Sequence, residues 1–446
     1  MTDSEGIMGK NIIVAGLGHG GIAAAALLAK AGYDVTVYEK KKKGTLGYDW
    51  TDIFAPDALK YAEIDMPDDD KYEYKQDMTF FGPTSEKALH QHVPEDQLEI
   101  KMERRDIYEL LINNALKYGV KIVYDCEVEG PIVLGNRVAG IKTEKGDVYG
   151  DLVIDACGMN SPVRRNLPES FGIEKDVARN EKITIYRAFF NVAEDVAVKA
   201  KFKVMLFKGG EQGINWVASE DDHTDLLIGR FEDFDLEHAQ KFADYLRAEN
   251  PRLGTEILRG GQFVEIPVRQ PLSIMVADGY AAIGDSAFMT VPVIGSGIAN
   301  TLKAAKVLAN AVIKDKSDSF SADALWNYQV NYFKLLGASL APLAQAKLLL
   351  LKLTPDDVDY LFEKEILTDD LITMGADFTG IGNLKVDPKD LINKAKQVCS
   401  DTELLKKIIA CGVGMGKVAA VCSMMPKKWN VRRVQNWAKV YEFSFR

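Results

Sequence analysis

The chain has 446 residues, 47% hydrophobic and 27% charged, with a formal net charge of −10. That length exceeds one simple core, so two or three structural units are expected. The composition is that of a globular protein, and the acidic balance argues against general nucleic-acid binding. Near the N-terminus Ile12, Ile13, Val14 and Ala15 form an apolar run without polar alternation, the pattern of a parallel strand buried on both faces. Gly16, Gly18 and Gly21 follow in GxGxxG spacing. The first permits the turn, the second lets backbone approach a pyrophosphate, and the third lets a helix pack closely on the strand. An Ala- and Leu-rich helix is predicted from Ile22 to Ala31, its N-terminal amides aimed at the turn, where an anion can sit. A second strand, Val35 to Tyr38, ends in Glu39, 23 residues beyond Gly16, close to the spacing of a carboxylate that binds a ribose diol. Together these features predict a dinucleotide site. His19, inside the turn, is expected to be a solvent-facing spacer.

The N-terminal MTDSEGIMGK has no apolar core of signal-peptide type, and no segment reaches the uninterrupted apolar length of a membrane span, so a cytoplasmic location is expected. The cysteines Cys126, Cys157, Cys399, Cys411 and Cys422 are odd in number and lack a CxxC pair, which leaves disulfides, zinc and iron–sulfur clusters without support. His90 and His92 alternate on one strand face and read as a solvated pair, so no metal site is expected. Residues 44–99 mix aromatics with carboxylates and read as an insertion, where a disordered spacer would be poor in aromatics. A helix is predicted from Met102 to Gly119, with Ile107, Leu110, Leu111, Ala115 and Leu116 as its apolar stripe, and a strand from Val120 to Tyr124. Turns at Gly135-Asn136 and Lys145-Gly146 separate short antiparallel strands ahead of the apolar strand Leu152 to Ile154. The β-branched and aromatic runs Ile183–Val192, Phe202–Phe207, Ile214–Ala218 and Leu226–Phe231 predict a second, antiparallel sheet, interrupted by a helix at about His238–Glu249. A strand Tyr280–Ile283 leads into Gly284-Asp285, then into a second glycine-rich helix start at Gly295 and Gly297, and the chain beyond Ser319 reads as helical.

Three separated segments, the GxGxxG with Glu39, the strand ending in Asp155-Ala-Cys157-Gly158, and Gly284-Asp285 with Pro292, Gly295, Gly297 and Asn300, resemble the FAD-binding signature of the flavoprotein hydroxylase superfamily. Within it the chain looks most similar to the geranylgeranyl reductase family, including the element Leu353-Thr-Pro-Asp-Asp-Val-Asp-Tyr360. The resemblance implies an α/β fold: a Rossmann-type, hydroxylase-like FAD-binding domain from 8–48, 100–172 and 276–318, an antiparallel-sheet substrate domain from 49–99 and 173–275, and a C-terminal helical region, 319–446. It implies that Gly16, Gly18 and Gly21 hold the pyrophosphate of FAD, that Gly158 also binds the cofactor, and that Glu39 holds the adenosine ribose. Arg104, with Arg105 as a substitute, would meet the phosphate or ribityl region, Asp285 would bind the ribityl chain, and Pro292, Gly295 and Gly297 would lie against the flavin ring. Backbone amides at such a helix start stabilise negative charge on a reduced flavin.

Two departures qualify what the resemblance implies. Hydroxylases carry an aspartate where this chain has Cys157, which weakens direct NADPH use and leaves NAD(P)H or a reduced protein donor as the electron source; Cys157 itself is expected to pack under the turn. The family's cysteine-glycine pair after the second strand is replaced by Gly47-Tyr48-Asp49-Trp50-Thr51-Asp52. Alkene reduction needs a hydride and a proton donor, and Tyr48 and Asp49 are the candidates for the donor, with Trp216 as a candidate wall of the substrate cavity. The expected activity is reduction of a C=C bond in a small apolar substrate, isoprenoid-like or polycyclic. A monooxygenase working through a flavin hydroperoxide, and an electron-transfer flavoprotein with no substrate of its own, remain as alternatives. The leucine run Leu348–Leu351 leaves membrane contact open, with a core role favoured.

Overall fold

Strand β1, Asn11–Ala15, is buried from its second residue onward, as its unbroken apolar sequence requires. In the computed structural model, which describes residues 10–376, 392, 393, 396 and 401–446, it sits inside a six-stranded sheet. Strand β2, Asp34–Tyr38, flanks it on one side and Leu152–Asp155 on the other, both parallel and in a register that brings Ala15 level with Tyr38 and with Asp155. Tyr280–Ala282 continues the sheet beyond Leu152–Asp155, with Asp155 opposite Ala282. Four carboxyl ends are therefore flush, and the loops leaving them meet where open parallel sheets bind ligands. Helix α1, His19–Lys30, and the helix Ile298–Lys314 pack together against this sheet.

The second sheet has seven strands in the order Leu253–Pro267, Lys182–Val192, Thr224–Arg230, Gly213–Ser219, Phe202–Leu206, Met78–Phe81, Ala88–His90. All its pairings are antiparallel except that of Phe202–Leu206 with Met78–Phe81. Thus the 44–99 stretch supplies two strands to this sheet, and its Thr51–Phe54 and Tyr72–Tyr74 pair with Ile100–Glu103 in a three-stranded one. The helix expected from Met102 begins at Arg104, because residues 100–103 are taken by that pairing, and ends at Lys117. Its inward face is Ile107, Leu111 and Ala115, whereas Leu116 is 51% exposed.

The tail divides between the two sheets. Trp326, Tyr328, Tyr332 and, from the last helix Val431–Phe443, Val434, Trp437 and Tyr441 share one hydrophobic core with β1 and α1. Val358, Leu361, Phe362, Leu404 and Ile408 pack on the second sheet through Phe80, Phe202 and Val204. Residues Ala322–Leu350 run as one 29-residue helix, which by length and apolar composition alone is sufficient to cross a bilayer. The sequence showed no uninterrupted apolar run of that length; here Leu325, Trp326, Leu336 and Leu340 of this helix face the protein core. Cys411 and Cys422 are buried on the helix Thr402–Ser423, and Cys399 lies outside the described residues.

Candidate functional site

A cavity of about 610 Å³ opens at the carboxyl ends of the six-stranded sheet, within the range of roughly 300–1,000 Å³ typical of ligand pockets. One side is the glycine turn. A Cβ on Gly16 would stand 2.7 Å from the Ala156 carbonyl oxygen, one on Gly18 2.9 Å from the same oxygen, and one on Gly21 2.5 Å from Ala156 Cβ. All three glycines are thus required by the neighbouring strand end, Gly18 included, where the sequence pointed only to a ligand. Glu39 closes this side: one carboxylate oxygen accepts from Leu17 N–H and the other from Lys41 N–H, both at 2.8 Å. The acid therefore fixes the turn and still presents lone pairs on the cavity wall.

Gly158 has φ +85° and open space where a Cβ would be, so it faces the cavity with bare backbone. Its amide donates to Ser286 Oγ at 2.9 Å, and Ser286 Oγ donates to the buried Asp155 Oδ1 at 3.0 Å. Ser161 Oγ and Tyr280 OH donate to the other Asp155 oxygen at 2.6 and 2.9 Å. This network fastens the Cys157-Gly158 turn to the Gly284-Asp285 turn. Sequence reasoning missed Ser161, six residues from Asp155, and also Tyr280 and Ser286, which lie 125 and 131 residues from it. Asp285 lies on the cavity wall and accepts from Thr290 Oγ1 at 2.9 Å. Its enclosure raises the carboxyl above the usual range, opposed by the Thr290 bond and by Arg104. Gly295 and Gly297 also line the cavity; Pro292 is buried behind them and is absent from the wall.

Arg104 reaches the cavity paired in bidentate fashion with Asp52, at 2.5 Å through both Nε and Nη2. Burial works against its charge, but Asp52 more than offsets this and holds the guanidinium above its ordinary range. Arg105 cannot substitute, its side chain being 78% exposed. Gly47, at φ +77°, lies so close to Arg104 that a Cβ would stand 2.8 Å from Arg104 Cγ. The following Tyr48 ring lies 5.1 Å from the Arg104 guanidinium and 5.5 Å from Lys41 Nζ. Tyr48 lines the cavity, and burial raises its phenol above the ordinary value, with Arg104 opposing.

The other two catalytic candidates are elsewhere. Asp49 is 54% exposed and faces Arg259 at 3.3 Å, while Arg259 is itself held by Glu103, so this carboxylate is drawn off the cavity wall. Trp216 sits in the second sheet against Phe202 and Arg187, and Trp50, not Trp216, reaches the cavity. His19 is no solvent-facing spacer either. Its ring stacks on Tyr108 with centroids 4.5 Å apart, on the cavity wall. Burial, aided by Arg104, pushes its pKa down to about 4. Cys157 also lines the cavity, where burial and the Asp155 and Glu39 carboxylates push its thiol well above the usual range, away from thiolate reactivity.

Three cavity-wall residues carry a buried polar atom without a hydrogen-bond partner: His19 Nε2, Trp50 Nε1 and Thr301 Oγ1. With the bare Gly158 backbone and the Glu39 carboxylate, they fit a bound group rich in phosphate, hydroxyl and ring-nitrogen atoms, as FAD is. Part of the wall is apolar: Tyr48, Trp50, Val264 and Ile266 belong to one cluster with Ile183, Ile185 and Leu227.

No protein-family profile matches the chain. A digeranylgeranylglycerophospholipid reductase of Sulfolobus acidocaldarius is 23% identical over 440 residues, covering 94% of this chain and 93% of that one. One of Haloferax volcanii is 25% identical over 365 residues, covering 74% and 83%. Among solved structures, a geranylgeranyl bacteriochlorophyll reductase-like protein of Thermoplasma acidophilum superposes with a TM-score of 0.70 at 20% identity, over 87% of this chain and 99% of that one. A triple mutant of a flavin-dependent brominase gives 0.63 at 15% identity, over 87% and 99%. By sequence the chain is similar to digeranylgeranylglycerophospholipid reductases, and its fold is the one shared by the geranylgeranyl bacteriochlorophyll reductase-like protein and the flavin-dependent brominase.

Proposed function

We propose that the protein reduces carbon–carbon double bonds in the isoprenoid-like chain of an apolar lipid. The observation that carries this reading is one cavity lined both by the glycine turns with their hydrogen-bonding groups and by an apolar cluster of Tyr48, Trp50, Val264 and Ile266. The names of the sequence relatives, reductases of an isoprenoid glycerophospholipid, support the same lipid class. Bound FAD supplies the hydride. The chain's own residues do the rest: Glu39 accepts from the adenosine ribose, the Gly16–Gly18 turn and Gly158 admit the pyrophosphate, and Asp285 accepts from the ribityl hydroxyls. Arg104, kept charged by Asp52, and the amide at Gly297 favour negative charge beside the ring. Tyr48 keeps its phenolic proton at neutral pH and holds it for the substrate carbon that does not receive hydride. Trp50, Val264 and Ile266 exclude water from the alkene. The electron source in this reading is NAD(P)H or a reduced protein donor.

The test is anaerobic. Protein with a flavin spectrum is photoreduced and mixed with a geranylgeranyl-chain phospholipid, then in parallel with aerated buffer. Re-oxidation by the lipid, with a mass gain of two hydrogens per double bond, is the expected result. An oxygenated product formed only in air overturns the reductase reading in favour of a monooxygenase, and absence of flavin after reconstitution overturns the cofactor assignment.

A further inference from the structure

Outside the cavity, the last helix presents an outer face with no partner among the described residues. Arg432, Asn436, Lys439 and Phe443 are spaced to form one stripe, with Arg433 and Val440 beside it, and all six are exposed. Phe443 is 73% exposed and Val440 53%, and Met424, just before the helix, is 73% exposed. From Met424 to Arg446 the chain carries six Lys or Arg, at 427, 428, 432, 433, 439 and 446, against one carboxylate, Glu442, in a protein of net charge −10. That carboxylate is turned inward, accepting from Ser273 Oγ at 2.6 Å.

The exposure does not come from a loosely held helix. Val434, Trp437, Ala438 and Tyr441 are buried in the main core, Trp437 Nε1 donates to Val421 O at 2.8 Å, and Tyr441 OH donates to Pro271 O at 3.1 Å. The face is therefore a fixed surface that places cations beside large apolar side chains. Cations alone serve any polyanion; cations interleaved with exposed Phe, Val and Met match a lipid interface, where the charges meet anionic headgroups and the apolar groups enter the acyl boundary.

We propose that the outer face of the last helix docks the protein on an anionic lipid bilayer. The proposal rests on this helix and not on the reading of the cavity, so either can fail without the other. The test is co-sedimentation of the full-length, flavin-loaded protein with vesicles of phosphatidylcholine, with or without phosphatidylglycerol, at low and high salt. The expected result is binding to the anionic vesicles that is lost in pure phosphatidylcholine and weakened by salt. Each basic residue at such a surface contributes about fivefold in affinity, so Arg432→Glu/Arg433→Glu/Lys439→Glu is expected to lose on the order of 100-fold or more, with unchanged flavin content and melting temperature. Val440→Ser/Phe443→Ser, which leaves the charge intact, is expected to weaken binding severalfold. Failure to pellet with anionic vesicles, or wild-type binding by the triple variant, overturns the proposal. So does wild-type vesicle binding by the Val440/Phe443 double variant together with equal retention on heparin, which would make the face a general polyanion site.

Discussion

Acidification probes the environment that the cavity gives His19. The ring lies against Tyr108 near Arg104, and its pKa falls from an ordinary 6.5 to about 4. The unfolded imidazole therefore takes up a proton near its ordinary value, while the folded one resists until about 4. Between those values the unfolded state binds more protons, so stability falls as pH drops through the window and the loss saturates below it. At 1.36 kcal/mol per pKa unit the full loss is about 3 kcal/mol. Solvent reaching the ring from the open cavity makes this an upper figure. His19→Phe keeps a ring against Tyr108 and removes the titration. Denaturant unfolding of the flavin-free protein from pH 7 to pH 4, wild type against variant, cancels the other titrating groups. The wild type is expected to lose up to about 3 kcal/mol relative to the variant across that range. A difference that stays flat, or an imidazole resonance titrating at its ordinary value, would refute the reasoning.

Glu39→Ala is expected to raise the FAD dissociation constant roughly 10- to 150-fold by removing a charged hydrogen-bond acceptor, read by quenching of flavin fluorescence; an unchanged constant would contradict the ribose role. Gly158→Ala forces an L-residue into φ +85° and puts a methyl group into the cavity, so the purified protein should carry little flavin while its far-ultraviolet dichroism is retained. Tyr48→Phe should bind FAD as the wild type does and lose about 100-fold or more in single-turnover alkene reduction. Equal rates would remove Tyr48 as proton donor.

Local order decided how much of this was legible beforehand. Strand β1, the glycine turn, helix α1 and Glu39 lie within one stretch of chain, and each constraint acts over a few residues, so periodicity and glycine spacing sufficed to read them. The second sheet was legible in four of its seven strands for the same reason, whereas the long strand Leu253–Pro267 and the two strands from residues 44–99 were not assigned to it. The remaining wall was not, because its contacts are long-range. Arg104 meets Asp52 across 52 positions, and Gly158 meets Ser286 across 128. His19 looked like a spacer because nothing nearby in sequence announces that Tyr108 will cover it. Asp49 looked like a proton donor until Arg259, 210 residues away, was seen to hold it. The tail read as helices, but periodicity carries no record of which core each helix joins, and its last helix shares a core with the first strand.

The two sides of the cavity are also specified by different chemistry. The cofactor side is built from backbone. The glycine turn is locked against Ala156, Leu17 N–H and Lys41 N–H are bound to Glu39, and Gly158 is tied through Ser286 to Asp155. The glycine turn tolerates little substitution, because a Cβ on Gly16 or Gly18 would meet the Ala156 carbonyl, and one on Gly21 the Ala156 side chain, at under 3 Å. The apolar part of the wall is built from side chains, Tyr48 and Trp50 on one loop and Val264 and Ile266 on the long strand Leu253–Pro267. Volume-conserving changes there alter shape without breaking a hydrogen-bond network. Under the proposed function, selection of an apolar substrate would fall to residues 46–50 and 264–266, and retention of the flavin to the turns at 16–21, 157–158 and 284–297. The two sets of residues are nonetheless in contact: a Cβ on Gly295 would stand 3.6 Å from Ile266, Lys41 reaches the Tyr48 ring, and Arg104 touches Asp52, Tyr48 and Trp50 at once.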